Sequence, residues 1–277
     1  MSQHPSLSLN VCGLPVDNVT MADALRLLEE RLATRTRTQL MFLNADCVNI
    51  SHRDPEYRRT LQQADLVFAD GIGMRIAGWL LGTPVRDNVN GTDLFPLACE
   101  RLARSGHRVF LLGARPGVAR KVQQWLAATH PGLTVCGVHH GYFDRTRSEE
   151  VTAKIRSSGA DVLFVAMGAP VQEKWIAEHI EATGVTVALG VGGLFDFFSG
   201  NMPRAPRWMR RAGLEWVYRF WQEPRRMWKR YWVGNFVFMG RVGARALVER
   251  IRSIRQPGRA LPAPERPALA PGVDVSA

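Results

Sequence analysis

Cysteine is scarce in this 277-residue sequence, and the four present (Cys12, Cys47, Cys99, Cys136) have no paired spacing. That argues against a disulfide framework or a thiolate metal site and reads as free buried thiols. No run of about 18 uncharged apolar residues occurs, so no segment is long enough to span a bilayer. The start, Met1 to Val16, lacks the basic residues and apolar run of a secretory signal, which gives a cytoplasmic location as the expectation. Neither a full G-x-G-x-x-G nor a G-x-x-x-x-G-K-[ST] fingerprint is found. Among seven histidines the one adjacent pair is His139-His140, and no metal and no cofactor is expected.

What is present is an uneven distribution of charge. An apolar fraction of 46% with 22% charged residues is ordinary for a globular chain. Residues 1–203, however, hold 20 basic and 20 acidic side chains, whereas residues 204–255 hold 14 basic against 3 acidic. The whole net charge of +11 therefore lies in that one segment. Five of the eight tryptophans (Trp208, Trp216, Trp221, Trp228, Trp232) share it. A solvated basic face would not carry so many rings. Cationic, aromatic-rich helices suit a membrane interface, and the segment demands a polyanionic partner, either phosphate-bearing lipid or nucleic acid.

Short β-rich apolar runs alternate with amphipathic stretches through residue 198. Strands are predicted at Leu40–Leu43, Leu66–Ala69, Arg108–Leu112, Thr134–Val138, Asp161–Met167 and Val185–Val191. Helices are predicted at Thr20–Ala33, Thr92–Arg104, Val118–Ala128, Ser148–Ser157 and Val171–Thr183, with Thr20 capping the first and Thr92 or Asp93 the second. This alternation predicts an α/β fold with a doubly wound, mostly parallel, Rossmann-like sheet at residues 1–200. Composition changes at Met202-Pro203-Arg204-Ala205-Pro206, beyond which two or three helices form a basic appendage to about residue 255. The proline-rich residues 256–277 read as a disordered tail.

In such sheets ligands bind beyond the carboxyl ends of the strands. There the sequence places Asn44-Ala45-Asp46, Asp70-Gly71, Asn90-Gly91-Thr92-Asp93, Gly113, Gly168 with Gln172 and Glu173 in the next helical turn, and Gly192. Asp70 is the candidate general base; helix capping or turn geometry explains the same residue types as well. The loop Gly113-Ala114-Arg115-Pro116-Gly117 can offer amides to phosphate, or be an ordinary turn. No Asp-x-Asp triad exists to hold a divalent metal against a diphosphate. A transferase built this way must stabilise its leaving group with loop amides and arginines.

Taken in order, these motifs resemble the WecG/TagA/CpsF family of bacterial glycosyltransferases over about residues 8–235. The likeness extends through Gly168-Ala169-Pro170-Val171-Gln172-Glu173-Lys174-Trp175, Gly192-Gly193-Leu194-Phe195-Asp196, Arg204-Ala205-Pro206 and Leu214-Glu215-Trp216. The resemblance implies an inverting, metal-independent transferase using a UDP-sugar donor and a polyprenyl-diphosphate-linked acceptor. Asp70 matches the family's proposed base, and Gln172 matches a residue thought to contact substrate. Arg219 and Arg226, with Lys229 or Arg230, match appendage charges thought to close over the acceptor diphosphate and aid docking on the inner membrane surface. The remaining motif residues, Arg204 included, are taken as substrate-binding. Phe42 stands where many members have threonine, so UDP-N-acetylmannosamine shares the donor candidacy with UDP-glucose or a uronic acid relative.

Two rivals remain: a nucleotide-sensing nucleic-acid-binding protein, marked by salt-sensitive binding through residues 204–255, and an NAD-dependent oxidoreductase, marked by nicotinamide binding. Neither nucleic acid nor nicotinamide is the expected partner. Homo-oligomer formation is left open.

Overall fold

The computed structural model describes residues 8–206, 208–209, 214–228 and 232–255. The expected disordered tail at 256–277 lies outside them.

An eight-stranded sheet forms the centre, in the order β1-β2-β4-β3-β8-β7-β5-β6. A hairpin of β1 (Ser8–Val11) and β2 (Leu14–Asp17) is antiparallel, and all other pairings are parallel. The inner strands β3 (Thr38–Leu43), β4 (Leu66–Ala69), β7 (Val162–Ala166) and β8 (Val187–Gly190) are buried along almost their whole length. Apolar runs covered on both faces account for their continuous, non-alternating sequence. The sheet continues through β5 (Arg108–Gly113), buried at all but its first residue, to β6 (Thr134–His139) at the far edge.

Helices α2 (Ala45–Ser51), α3 (Pro55–Gln63), α4 (Ile72–Leu80), α7 (Ser148–Ser157) and α8 (Val171–Thr183) cover one face. Helices α1 (Met21–Ala33), α5 (Gly91–Arg104), α6 (Val118–Thr129) and α9 (Leu194–Phe198) cover the other. Thr20 caps α1 in a capping box with Asp23, as its position predicts. The cap of α5 differs from expectation: Asn90, not Thr92 or Asp93, accepts from the Asp93 amide at 2.8 Å, because an asparagine just ahead of the first turn reaches its third amide directly.

The basic segment contains α10 (Glu215–Gln222), α11 (Pro224–Trp228) and α12 (Gly234–Arg255). Helix α12 joins the core: Phe238 and Val242 are 1% and 0% exposed and sit in the cluster that covers the first face. Burying a side chain the size of Phe238 contributes about 1.5–3 kcal/mol, enough to anchor the helix. Asn49 of α2 completes the joint, donating to Gly234 O at 2.7 Å and accepting from Arg241 at 2.7 Å.

Candidate functional site at the carboxyl edge of the sheet

Strands β3 and β7 run into helices on the first face, while β8 and β5 run into helices on the second. Their order β3-β8-β7-β5 makes neighbouring loops diverge at each step, and such divergence opens a crevice above the strand ends. The motif residues lie along it.

At one end, Leu43 of β3 pairs with Ala69 of β4, so the chain segments that follow, Asn44 and Asp70, leave the sheet side by side. The Asp70 amide donates to Leu43 O at 2.9 Å, and the residue is half-buried. Asn44 caps α2, its Oδ1 accepting from the Asp46 and Cys47 amides at 3.1 Å each. Gly71 takes φ +94°, which disfavours any side chain although a Cβ there would meet nothing. Its amide donates to Asn88 Oδ1 at 2.6 Å, a contact that pins the Asp70 turn and that the motif reading missed.

The next group is an ionic knot. Asn90 Nδ2 donates to Asp93 Oδ2 at 2.7 Å, and the Arg204 guanidinium donates to Asp93 Oδ1 at 2.9 Å, to Thr92 O at 3.3 Å and to Glu215 Oε1 at 3.4 Å. Arg204 thus fastens the start of α10 to the start of α5. Its guanidinium is engaged by protein groups. Gly91 lies against the Phe42 ring, 3.4 Å from where its Cβ would stand, and the same ring meets Phe68 edge-on. Phe42 therefore lines the underside of the Asn90–Asp93 turn.

The glycines differ in role. Gly113, at φ +141°, is required by packing, since a Cβ there would overlap the Ala166 backbone. The amides of Gly168 and Gly192 both donate to Gln172 Oε1, at 3.1 and 2.8 Å, so these two loop amides serve the protein rather than a phosphate. Gln172 Nε2 in turn donates to Glu173 Oε1 at 2.9 Å. Both side chains are buried, 4% and 1% exposed, and burial pushes the Glu173 carboxyl up to about 7 despite the Gln172 bond. Polar residues in a first helical turn are usually solvated, and nothing in the spacing signals this burial.

Unfilled helix starts supply the rim with amides instead. Helices α4, α6 and α8 begin without a side-chain cap, behind Gly71, Gly117 and Pro170. Uncapped first turns present unpaired amides and a positive dipole end to an anion. Helix α10 approaches the same edge, where the Arg219 guanidinium lies 4.9 Å from the Phe197 ring centre and 3.3 Å from where a Gly193 Cβ would stand. Its buried Nε has no hydrogen-bond partner among the described residues. The side chain of Arg226, and Lys229 and Arg230 entirely, lie outside the described residues. Beyond β6, His139 borders two small cavities of about 200 and 250 Å³, and Tyr142 projects a ring that is 69% exposed. Among the described residues no cluster of three His, Cys, Asp or Glu side chains is placed to hold a metal ion, and no helix is long and apolar enough to cross a membrane.

Such a rim suits group transfer from a phosphate-linked donor, and comparison with known proteins gives the class. Residues 9–253 match the family model described as Glycosyl transferase WecG/TagA/CpsF family, and the chain belongs to that glycosyltransferase family. Similar proteins include an N-acetylglucosaminyldiphosphoundecaprenol N-acetyl-beta-D-mannosaminyltransferase of Bacillus spizizenii, 37% identical over 178 residues, which cover 64% of this chain and 68% of that one. Proteins of the same name from Staphylococcus aureus strains MW2 and NCTC 8325 are 32% and 33% identical, covering 80% and 76% of this chain and 86% and 83% of theirs.

Proposed function

We propose that this chain transfers N-acetylmannosamine from UDP to the sugar of a polyprenyl-diphosphate-linked N-acetylglucosamine, with inversion and without a metal. The observation that carries the reading is the half-buried Asp70 beside Asn44 on an edge where α4, α6 and α8 begin without a side-chain cap. The names of the similar proteins support the donor sugar and the acceptor. Asp70 takes the proton from the acceptor hydroxyl as that oxygen attacks the anomeric carbon. The bond from that carbon to the diphosphate oxygen breaks, and UDP leaves with the electron pair. The starts of α4, α6 and α8 turn their positive dipole ends toward the leaving diphosphate, and Arg219 adds a full charge at the β8 end of the rim for the acceptor's diphosphate. The wide rings and excess positive charge of residues 204–255 hold the enzyme on an anionic membrane surface, where the lipid-linked acceptor resides.

A transfer assay tests this with purified protein, a lipid-diphosphate-linked N-acetylglucosamine acceptor and a panel of UDP-sugars. Acceptor-dependent UDP release with UDP-N-acetylmannosamine that survives EDTA is the expected result. Release with UDP-glucose or a uronic acid donor alone would reassign the sugar and point to Phe42. No release from any donor by folded protein would remove the reading.

A further inference from the structure

The carboxylate next to Gln172 has no place in the chemistry above, yet it is nearly sealed from solvent. Gln172 carries an oxygen and a nitrogen of almost equal size at the end of one side chain, and only the oxygen can accept hydrogen bonds. Both the Gly168 and the Gly192 amides point at that oxygen, at 3.1 and 2.8 Å. Turned over, the side chain would aim its own N–H groups at two backbone N–H groups. The nitrogen then needs an acceptor on its far side, and Glu173 Oε1 is there at 2.9 Å. The fit is close, since a Cβ on Gly190 would come within 3.1 Å of Gln172 Nε2. With Gln172 4% and Glu173 1% exposed, solvent has little access to take over either contact.

We propose that Glu173 is a positioning residue for sugar transfer, whose carboxylate fixes the Gln172 amide in the orientation that ties the loop after β7 to the loop after β8. Gly168 and Gly192 stand at φ +79° and +59°, so each loop turns sharply at the tied residue. The second loop continues to Gly193, against which Arg219 lies, so the tie extends from α8 to the appendage arginine. The arrangement is costly for the fold. Among the described residues Glu173 Oε2 has no hydrogen-bond partner, and burial first, then the neighbouring Cys47 and Glu173 charges, oppose ionisation of the buried Tyr57 hydroxyl. An apolar residue would sit there more cheaply, and the return on a buried carboxylate is the orientation of Gln172. The kinetic consequence rests on the transferase reading, while the tie is a property of the fold.

The test compares Glu173→Gln, which keeps an acceptor oxygen, with Glu173→Met, which removes it, each alone and with Gln172→Ala. Glu173→Met is expected to lower kcat/KM for the UDP-sugar on the order of 10–100-fold, as small misplacements of a reacting pair do. Glu173→Gln should stay within about threefold of the parent, because it preserves the hydrogen bond. In the Gln172→Ala background Glu173→Met should add less than about twofold, since contacting residues in one network do not contribute independently. Equal damage from Gln and Met, or fully multiplicative losses in the double variant, would overturn the proposal. Hydrogen exchange at the Gly168 and Gly192 amides decides the matter without turnover. Slow exchange in the parent and in Glu173→Gln supports the tie, and exchange at exposed-loop rates in the folded parent overturns it. If the parent transfers no sugar from any donor, the transferase reading fails and the exchange result still judges the tie.

Discussion

The ring of Phe238 lies over Gly73, its Cε1 3.5 Å from where a Cβ would stand, and so the last helix of the chain supports the turn that carries Asp70. The Ala45 methyl lies 3.4 Å from the same point. Removing the ring leaves a hole beneath both motif loops. Phe238→Ala is expected to cost about 3–5 kcal/mol in urea unfolding, the range for deleting a buried phenyl group. Turnover should fall with it, even at temperatures where the variant is folded. A loss below about 1 kcal/mol would mean that α12 does not contribute to the core as its burial implies.

Asp70→Asn preserves shape and removes the base. A positioned base is worth on the order of 10²–10⁴ in rate, so kcat should drop by that factor while the melting temperature and UDP affinity hold. Turnover within about threefold of the parent would take Asp70 out of the role.

Much of this layout is readable from the residues alone, and the failures have physical causes. Strands β3, β4, β5, β7 and β8 show as apolar runs because both faces of the sheet are covered there, and their ends fix where the motif loops emerge. The β1–β2 hairpin escapes because its strands are only 4 residues each and its turn is Cys12-Gly13, with φ +55° and +86°. A cysteine at a left-handed turn position carries no turn signal of the kind asparagine gives. The ion pairs of Arg204 are not legible in sequence. Its carboxylate partners, 111 residues before it and 11 after it, come together only in the fold. Helix α12 reads as part of a separate basic arm, since nothing in its composition separates the Phe238 and Val242 stripe that enters the core from the rings that face outward.

Glu173 gives stability a distinctive pH dependence. Burial raises its carboxyl to about 7 from an ordinary 4.5, with the Gln172 hydrogen bond opposing the rise. The folded state therefore holds this proton more tightly than the unfolded chain does. Its contribution favours the fold at low pH and is lost as pH rises from about 4.5 to about 7, by about 3 kcal/mol at most. Asp23, Asp54 and Asp144 are shifted down from 3.8 by hydrogen bonds, so their stabilisation is lost only as pH falls below that value. The windows do not overlap. Unfolding of Glu173→Gln followed from pH 4.5 to 8 should lack the decline seen in the parent, and parallel curves would show that Glu173 is not the source.

Arg204 spans two carboxylates with one rigid fork, which a lysine cannot do. Both Arg204→Ala and Arg204→Lys should therefore release the start of α10 from the start of α5. Arg219 rides on that helix, so KM for the lipid-linked acceptor is expected to rise about tenfold, as for a lost charge-assisted contact, with the donor KM little changed. An equal rise in both values would mean that Arg204 meets the donor directly.

Membrane docking yields the last test. Trp221, Trp228, Trp232 and Phe236 are 79%, 53%, 49% and 72% exposed, within the segment that carries the net +11. Rings of that size cost free energy in water, and beside arginines they match the headgroup zone of an anionic bilayer. The two contributions respond to different treatments. Salt screens the charges within about 8 Å at physiological strength but leaves ring insertion intact. Sedimentation with vesicles containing anionic phospholipid should therefore show binding that weakens with salt without vanishing. The paired change Trp221→Ala and Phe236→Ala should remove the salt-resistant part and leave the soluble fold stable, since both rings already face solvent. Undiminished binding by that variant would assign the membrane contact to charge alone, and no binding by the parent to any anionic vesicle would leave the exposed rings to another partner.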